Sequence, residues 1–108
     1  MRMWGVHPKL LCRQHLLGEH KEMHMFVGAI KKGTSIRGYI ASGFVETHRI
    51  RERHDALAEE MTNRGYLHFS PLPAFTVRPD GQLKPERDRE DLISRCGACS
   101  SRIQRSGE

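Results

Sequence analysis

Apolar residues recur at intervals of three and four through residues 10–27, a spacing typical of one face of an α-helix. This stripe consists of Leu10, Leu11, Leu16, Leu17, Met23, Phe26 and Val27. Pro8 lies just before it, where a proline suits the start of a helix. We therefore predict a first amphipathic helix from Leu10 to Val27, followed by a break at Lys31–Gly33.

The same periodicity predicts a short helix over Thr34–Phe44 and a long helix over Glu46–Arg64, with Gly65 as its C-terminal stop. The inner stripe of the long helix is Ile50, His54, Leu57, Ala58 and Met61. A last helix is predicted over Arg87–Gln104, where apolar residues again share one side. They are Leu92, Ile93, Cys96, Cys99 and Ile103.

Between these helices, Tyr66–Pro85 holds four of the five prolines and predicts a long irregular loop. Its large apolar side chains are expected to hold it against the core: Tyr66, Phe69, Leu72 and Phe75. Met3, Trp4 and Val6 favour burial, which predicts an ordered N-terminal arm. The fold class is all-α, a single domain over residues 1–108 with three main helices, the arm and the loop.

The net charge of +5 is unevenly placed along the chain. Residues 1–37 hold seven basic and two acidic side chains, whereas the rest of the chain holds eleven of each. The excess positive charge therefore lies around the first helix, where a polyanion such as nucleic acid is the expected partner. Charge of this size is equally typical of a surface that only keeps a protein in solution.

No apolar run has the length of a membrane span, so we expect no membrane partner. The first residues, MRMWGVHPK, are too polar for a secretory signal. Three cysteines, an odd number, are typical of a protein in the reducing cytoplasm. We expect a cytoplasmic monomer.

Glu22 is the first candidate for chemistry. Helical spacing places His15, Glu19 and Glu22 on one face, and Arg13, Lys21 and the N-terminus lie near Glu22. A carboxylate in such surroundings suits electrostatic or general-base catalysis. A surface glutamate paired with a lysine explains the same spacing.

The histidines suggest a metal, but no complete site emerges. His15 with Glu19, and His20 with His24, are four residues apart, a spacing that lets two side chains share one ion. Six of the seven histidines are candidates for such a site: His15, His20, His24, His48, His54 and His68.

The cysteines are equally incomplete as a site. Cys96-x-x-Cys99 has the spacing of half a zinc site, yet the chain has no second C-x-x-C. Free cysteines on the apolar side of a helix often only pack. Cys12 with His15 has the composition of a nucleophile–base pair, although a buried Cys12 explains it as well. We assign no metal ligand and no cofactor from these patterns.

Two stretches of the chain resemble a known family. They are LCRQHLLGEHKEMHMFVGAIKKG and RHDALAEEMTNRGY. They resemble the pyrimidine-dimer DNA glycosylases of the phage endonuclease V type over about residues 1–70. The matching positions are Gln14, His15, Leu16, Glu19, Glu22, Phe26, Gly28, Arg64, Gly65 and Tyr66.

The resemblance implies a bifunctional repair enzyme, a DNA glycosylase with abasic-site lyase activity on double-stranded DNA. An N-terminal α-amine attacks the damaged nucleotide and forms an imine, and β-elimination then cuts the strand. Glu22 matches the essential glutamate, Gln14 and His15 match its active-site neighbours, and Arg2 and Lys21 match residues that hold the DNA backbone.

The phage enzymes lose their initiator methionine and expose a threonine. Here residue 2 is Arg, whose bulk is expected to block that removal. The resemblance then makes the α-amine of Met1 the nucleophile. An α-amine titrates at a reference pKa of about 7.7–8.0, against about 10.4 for lysine, so a useful fraction is neutral near pH 7. The alternative is a non-catalytic DNA-binding or metal-binding helical protein on the same scaffold.

Overall fold

A computed structural model describes residues 1–67 and 70–107, and these form helices and no strand. The all-α prediction is confirmed. Within the described ranges, every helix is too short or too polar to cross a membrane. The described residues form five α-helices. They are α1 (Arg13–Lys32), α2 (Arg37–Ala41), α3 (Ile50–Asn63), α4 (Pro85–Arg95) and α5 (Gly97–Ser106).

Helix α1 begins three residues later and ends five residues later than its apolar stripe predicts. Pro8–Leu10 forms a separate 3-10 turn, and α1 starts after Cys12, whose sulfur accepts the backbone N–H of His15. This bond satisfies one of the free N–H groups at the helix start. Gly33 ends α1 with a left-handed φ of 75°.

Helices α2 and α3 are both shorter than predicted. The segment predicted as Thr34–Phe44 is helical only over Arg37–Ala41, and Thr47–Arg49 is a 3-10 turn before α3. The stop at Gly65 is confirmed by its φ of 83°.

The prediction of one helix over Arg87–Gln104 is wrong, because the chain breaks at Cys96 into α4 and α5. Cys96 is extended, with φ −135° and ψ 107°, and its sulfur accepts the backbone N–H of Cys99. The apolar periodicity does not show this break, because buried residues continue on both sides of it. Leu92 lies before the break, and Cys99 and Ile103 lie after it.

The core forms where α1 packs against α3, and α5 covers the 3-10 turn at Pro8–Leu10. Its largest fully buried side chains include Leu16, Met23, Phe26, Ile50, Leu57 and Ile103. Residues 66, 67 and 70–84 form an irregular segment, in which Leu72 is buried and Tyr66 and Phe75 pack against the core. The predicted contact of Phe69 lies outside the described residues.

The N-terminal arm is ordered, as predicted. Met3, Trp4 and Val6 are buried, and the backbone N–H of Met3 donates to the carbonyl of Phe44 over 2.6 Å. Gly5 lets the arm approach α4 closely, since an added Cβ would lie 3.0 Å from the Cα of Pro85.

Asp88 on α4 anchors this arm. Its carboxylate is fully buried and accepts bonds from the side chain of Arg2 over 2.7 Å and from the backbone N–H of Gly5 over 2.9 Å. Arg87 donates to the same carboxylate over 2.9 Å. The arm and α4 therefore meet at a buried, charge-assisted network.

We expect Asp88→Asn to lower the free energy of unfolding by about 3–5 kcal/mol, because it leaves the charge of Arg2 buried with a weaker partner. Asp91→Asn is the matched control. Asp91 also binds Arg2, over 3.3 Å, but is 22% exposed, and its loss is expected to cost under about 1 kcal/mol. Urea unfolding measures both, and equal losses would contradict the anchoring role of Asp88.

Candidate active site

Glu22 lies beside the start of the chain. Its Oε1 atom accepts the backbone N–H of Arg2 over 2.9 Å and lies 3.9 Å from the α-nitrogen of Met1. Helix α1 supplies the carboxylate, and the buried arm returns the first two residues to it. One carboxylate oxygen thus contacts both the first amine and the first amide of the chain.

A cleft of about 240 Å³ opens next to this carboxylate. Gly18 forms part of its wall, and a Cβ added there would meet no atom within 4 Å, so the missing side chain leaves the wall open. The carboxylate of Glu22, the imidazole of His15 and the amide of Gln14 therefore line one open cleft. Its lining residues are Trp4, Gln14, His15, Gly18, Glu19 and Glu22.

His15 connects this cleft to the interior. Its ring packs edge-on against Trp4, with centroids 5.7 Å apart, and its Nδ1 atom lies 3.3 Å from the sulfur of Cys12. Burial lowers the pKa of His15 below its usual 6.5, while the charge of Glu22 opposes this shift. The ring is therefore neutral near pH 7 and has one nitrogen available as an acceptor or ligand.

Glu19 differs from Glu22 in its surroundings. Its side chain is 1% exposed and binds Arg53 through both oxygens, over 2.6 and 2.9 Å. Arg53 also donates to the carbonyl of Val6. Burial raises the pKa of Glu19, and the guanidinium of Arg53 opposes the rise. Glu19 therefore joins α1, α3 and the arm, whereas the side chain of Glu22 keeps 29% exposure.

The side chain of Arg2 faces the interior. Its guanidinium lies 3.8 Å from the ring centroid of Trp4 and 4.2 Å from that of Phe44, and it binds Asp88. The side chain is only 12% exposed. The resemblance predicts a DNA contact for Arg2, which stays a prediction; in the structure its side chain holds the arm.

The other predicted site residues lie near the cleft. Gln14 is exposed and lines the cleft together with His15. Lys21 is exposed and lies three residues beyond Gly18, on the same face of α1. The structure thus brings Met1, Gln14, His15 and Glu22 together and leaves Lys21 on the adjoining surface.

Among the described residues, two groups of possible metal ligands also form, and the sequence had shown only parts of them. The ligand atoms of Cys12, His15, Cys96 and Cys99 all lie within 4.8 Å of one another. The same holds for His20, His24 and His54. The signal for the first group is that Cys12-x-x-His15 repeats the spacing of Cys96-x-x-Cys99.

The thiols of the first group have different environments. The backbone N–H of Cys99 is the main cause that lowers the pKa of Cys96. Burial raises the pKa of Cys99 to about 12.

Comparison with protein families gives one finding. The sequence model described as pyrimidine dimer DNA glycosylase matches residues 1–72 of the 108. No curated protein and no solved structure matches the chain.

Removal of the charge is expected to affect stability much more at Glu19 than at Glu22. Glu19→Gln should lower the free energy of unfolding by about 3–5 kcal/mol, because Arg53 stays buried without its ionic partner. Glu22→Gln should change it by less than about 1 kcal/mol, because this side chain is partly solvated and the amide oxygen still accepts the N–H of Arg2. Urea unfolding of the two variants measures this, and a larger loss in Glu22→Gln would contradict the assignment.

Proposed function

Because this chain belongs to the pyrimidine dimer DNA glycosylase family, we propose that it removes damaged pyrimidines from double-stranded DNA and cuts the strand at the abasic site. The nucleophile is the α-amine of Met1. The observation that carries the proposal is the 3.9 Å separation between this nitrogen and Glu22, at the edge of an open cleft.

In the first step, the neutral α-nitrogen attacks C1′ of the damaged nucleotide. A C–N bond forms, the N-glycosidic bond breaks, and the base leaves with the bonding electron pair. The nitrogen gives up two protons, one to the departing base and one to O4′ as the sugar ring opens, which leaves an imine between C1′ and the protein. The carboxylate of Glu22 stabilises the positive charge that develops on the sugar.

In the second step, Glu22 accepts a proton from C2′. The electron pair released there expels the 3′ phosphate oxygen by β-elimination, and water then hydrolyses the imine to free Met1. A carboxylate close to the nitrogen serves both steps, because C1′ and C2′ are adjacent carbons. The buried arm contributes by holding the amine in place before the substrate binds.

The cleft supports the same assignment. Gln14 and His15 line it next to Glu22, which suits contacts to an extruded nucleotide. Lys21 and other exposed basic residues of α1 suit contacts to phosphates. These exposed residues are Arg13, Lys21, Lys31 and Lys32.

Glu22→Gln should lower strand cleavage of abasic duplex DNA by about 10²–10⁴-fold, the usual contribution of a positioned acid–base group. Glu52→Gln is the matched control, since Glu52 is an exposed glutamate on α3 and should retain full activity. Gel assays on abasic, thymine-dimer and undamaged duplexes measure both variants. Undiminished cleavage by Glu22→Gln would exclude the proposed role.

The native protein should carry Met1, which intact-mass spectrometry detects. Two added residues before Met1 should abolish borohydride trapping on abasic DNA, because they move the α-amine away from Glu22. The same two residues added after Glu108 should leave trapping unchanged. A native mass that begins at Arg2, or full trapping by the N-terminally extended protein, would contradict the proposed nucleophile.

A further inference from the structure

Apart from His15, which also lines the cleft, the group formed by Cys12, His15, Cys96 and Cys99 has no role in the proposed reaction. It lies where the start of α1 meets the start of α5. Cys12 and Cys99 are buried, and Cys96 and His15 are half-buried. From this geometry we propose that the four side chains bind one Zn²⁺ ion as a structural Cys3His site.

The distances within the group fit a tetrahedral zinc centre. Zinc binds sulfur at about 2.3 Å and imidazole nitrogen at about 2.0–2.1 Å. A tetrahedron with these bonds has S···S edges of about 3.8 Å and S···N edges of about 3.6 Å. The sulfurs of Cys12 and Cys96 are 3.9 Å apart, and Nδ1 of His15 lies 3.3 Å from Cys12 and 3.5 Å from Cys99.

Each sulfur also accepts a backbone N–H, and outer contacts of this kind orient the ligands of a metal. Cys12 accepts from His15 over 3.4 Å, Cys96 from Cys99 over 3.4 Å, and Cys99 from Cys12 over 3.2 Å. These N–H groups orient the three sulfurs within the group.

The two halves of the site are built alike. Cys12 is the N-cap of α1 and Cys96 is the N-cap of α5, and in each case the second ligand follows three residues later. Both pairs thus lie at the positive ends of helix dipoles, which offset the surplus negative charge of three thiolates around one Zn²⁺. Thiolate-rich tetrahedral sites favour zinc over harder cations.

The ion would join the C-terminal helix pair to the N-terminal half of the chain. Cys96 and Cys99 lie beyond residue 72, where the family match ends, whereas Cys12 and His15 lie within it. Zinc on Nδ1 of His15 would also fix the proton of that ring on Nε2. This proposal does not depend on the proposed reaction.

The second group is a weaker candidate for the same ion. In His24 and His54 the Nε2 atoms donate hydrogen bonds to the carbonyl oxygen of Ser70, over 3.0 and 3.3 Å. Nδ1 of His54 lies 2.9 Å from a carboxylate oxygen of Asp55. These histidines therefore have hydrogen-bond partners that explain their proximity without a metal.

The test is the metal content of full-length, untagged protein, expressed with added zinc and purified under reducing conditions without chelator. Elemental analysis and native mass spectrometry should find one Zn²⁺ per chain. Cys96→Ser and Cys99→Ser should reduce bound zinc at least tenfold, whereas Cys96→His should retain it. Ser100→Ala, next to Cys99, and His24→Ala, in the second group, are controls that should keep one zinc.

Cobalt substitution of the wild-type protein keeps the test decisive if the serine variants fail to fold. Bound Co²⁺ should show tetrahedral d–d absorption and a thiolate charge-transfer band that scales with three sulfur ligands. Three results for the wild-type protein would overturn the proposal: no bound zinc, a disulfide between two of the cysteines, or bound iron and sulfide in place of zinc. Zinc retained in Cys99→Ser and lost in His24→Ala would also overturn it, because the ion would then belong to the histidine group.

Discussion

The pairing of Arg2 with Asp88 is the interaction on which the candidate site depends. The guanidinium is enclosed between two aromatic rings and its carboxylate partner is fully buried, so neither group can be withdrawn alone without a large desolvation cost. The backbone N–H of the same residue binds Glu22. Arg2 is therefore fixed at its side chain and its main chain, and the nitrogen of Met1, one residue away, stays beside the acid.

Two glutamates three residues apart on α1 have different tasks because their partners differ. Glu19 is enclosed by Arg53 and ties the arm to α3, so its charge is used for structure. Among the described residues, Glu22 meets main-chain nitrogen alone, on one oxygen, and it remains open to the cleft. Helical spacing places both on one face, and tertiary packing alone separates an anchoring carboxylate from one that stays open to the cleft.

The periodicity of apolar residues predicted where helices exist, since each helix buries one stripe. It misplaced their ends, because ends depend on capping by particular atoms, such as the sulfurs of Cys12 and Cys96. Glu22 was a candidate from helical spacing and nearby charge, and the resemblance gave it a role. Asp88 was not found, because nothing in a charge-rich segment shows which carboxylate will be buried. The sequence likewise does not show that Cys12 and His15 lie next to Cys96 and Cys99, because only the tertiary fold brings the two pairs together. Both anchors of the N-terminal half, Asp88 and the cysteine pair, lie outside the family match.

Peptide mapping of the borohydride-trapped complex tests most directly whether the first nitrogen of the chain is the nucleophile. After digestion of protein and DNA, the account predicts a reduced sugar adduct on the α-nitrogen of the peptide that begins at Met1. An adduct on a lysine side chain such as Lys21, or no covalent adduct with abasic DNA at all, would contradict it.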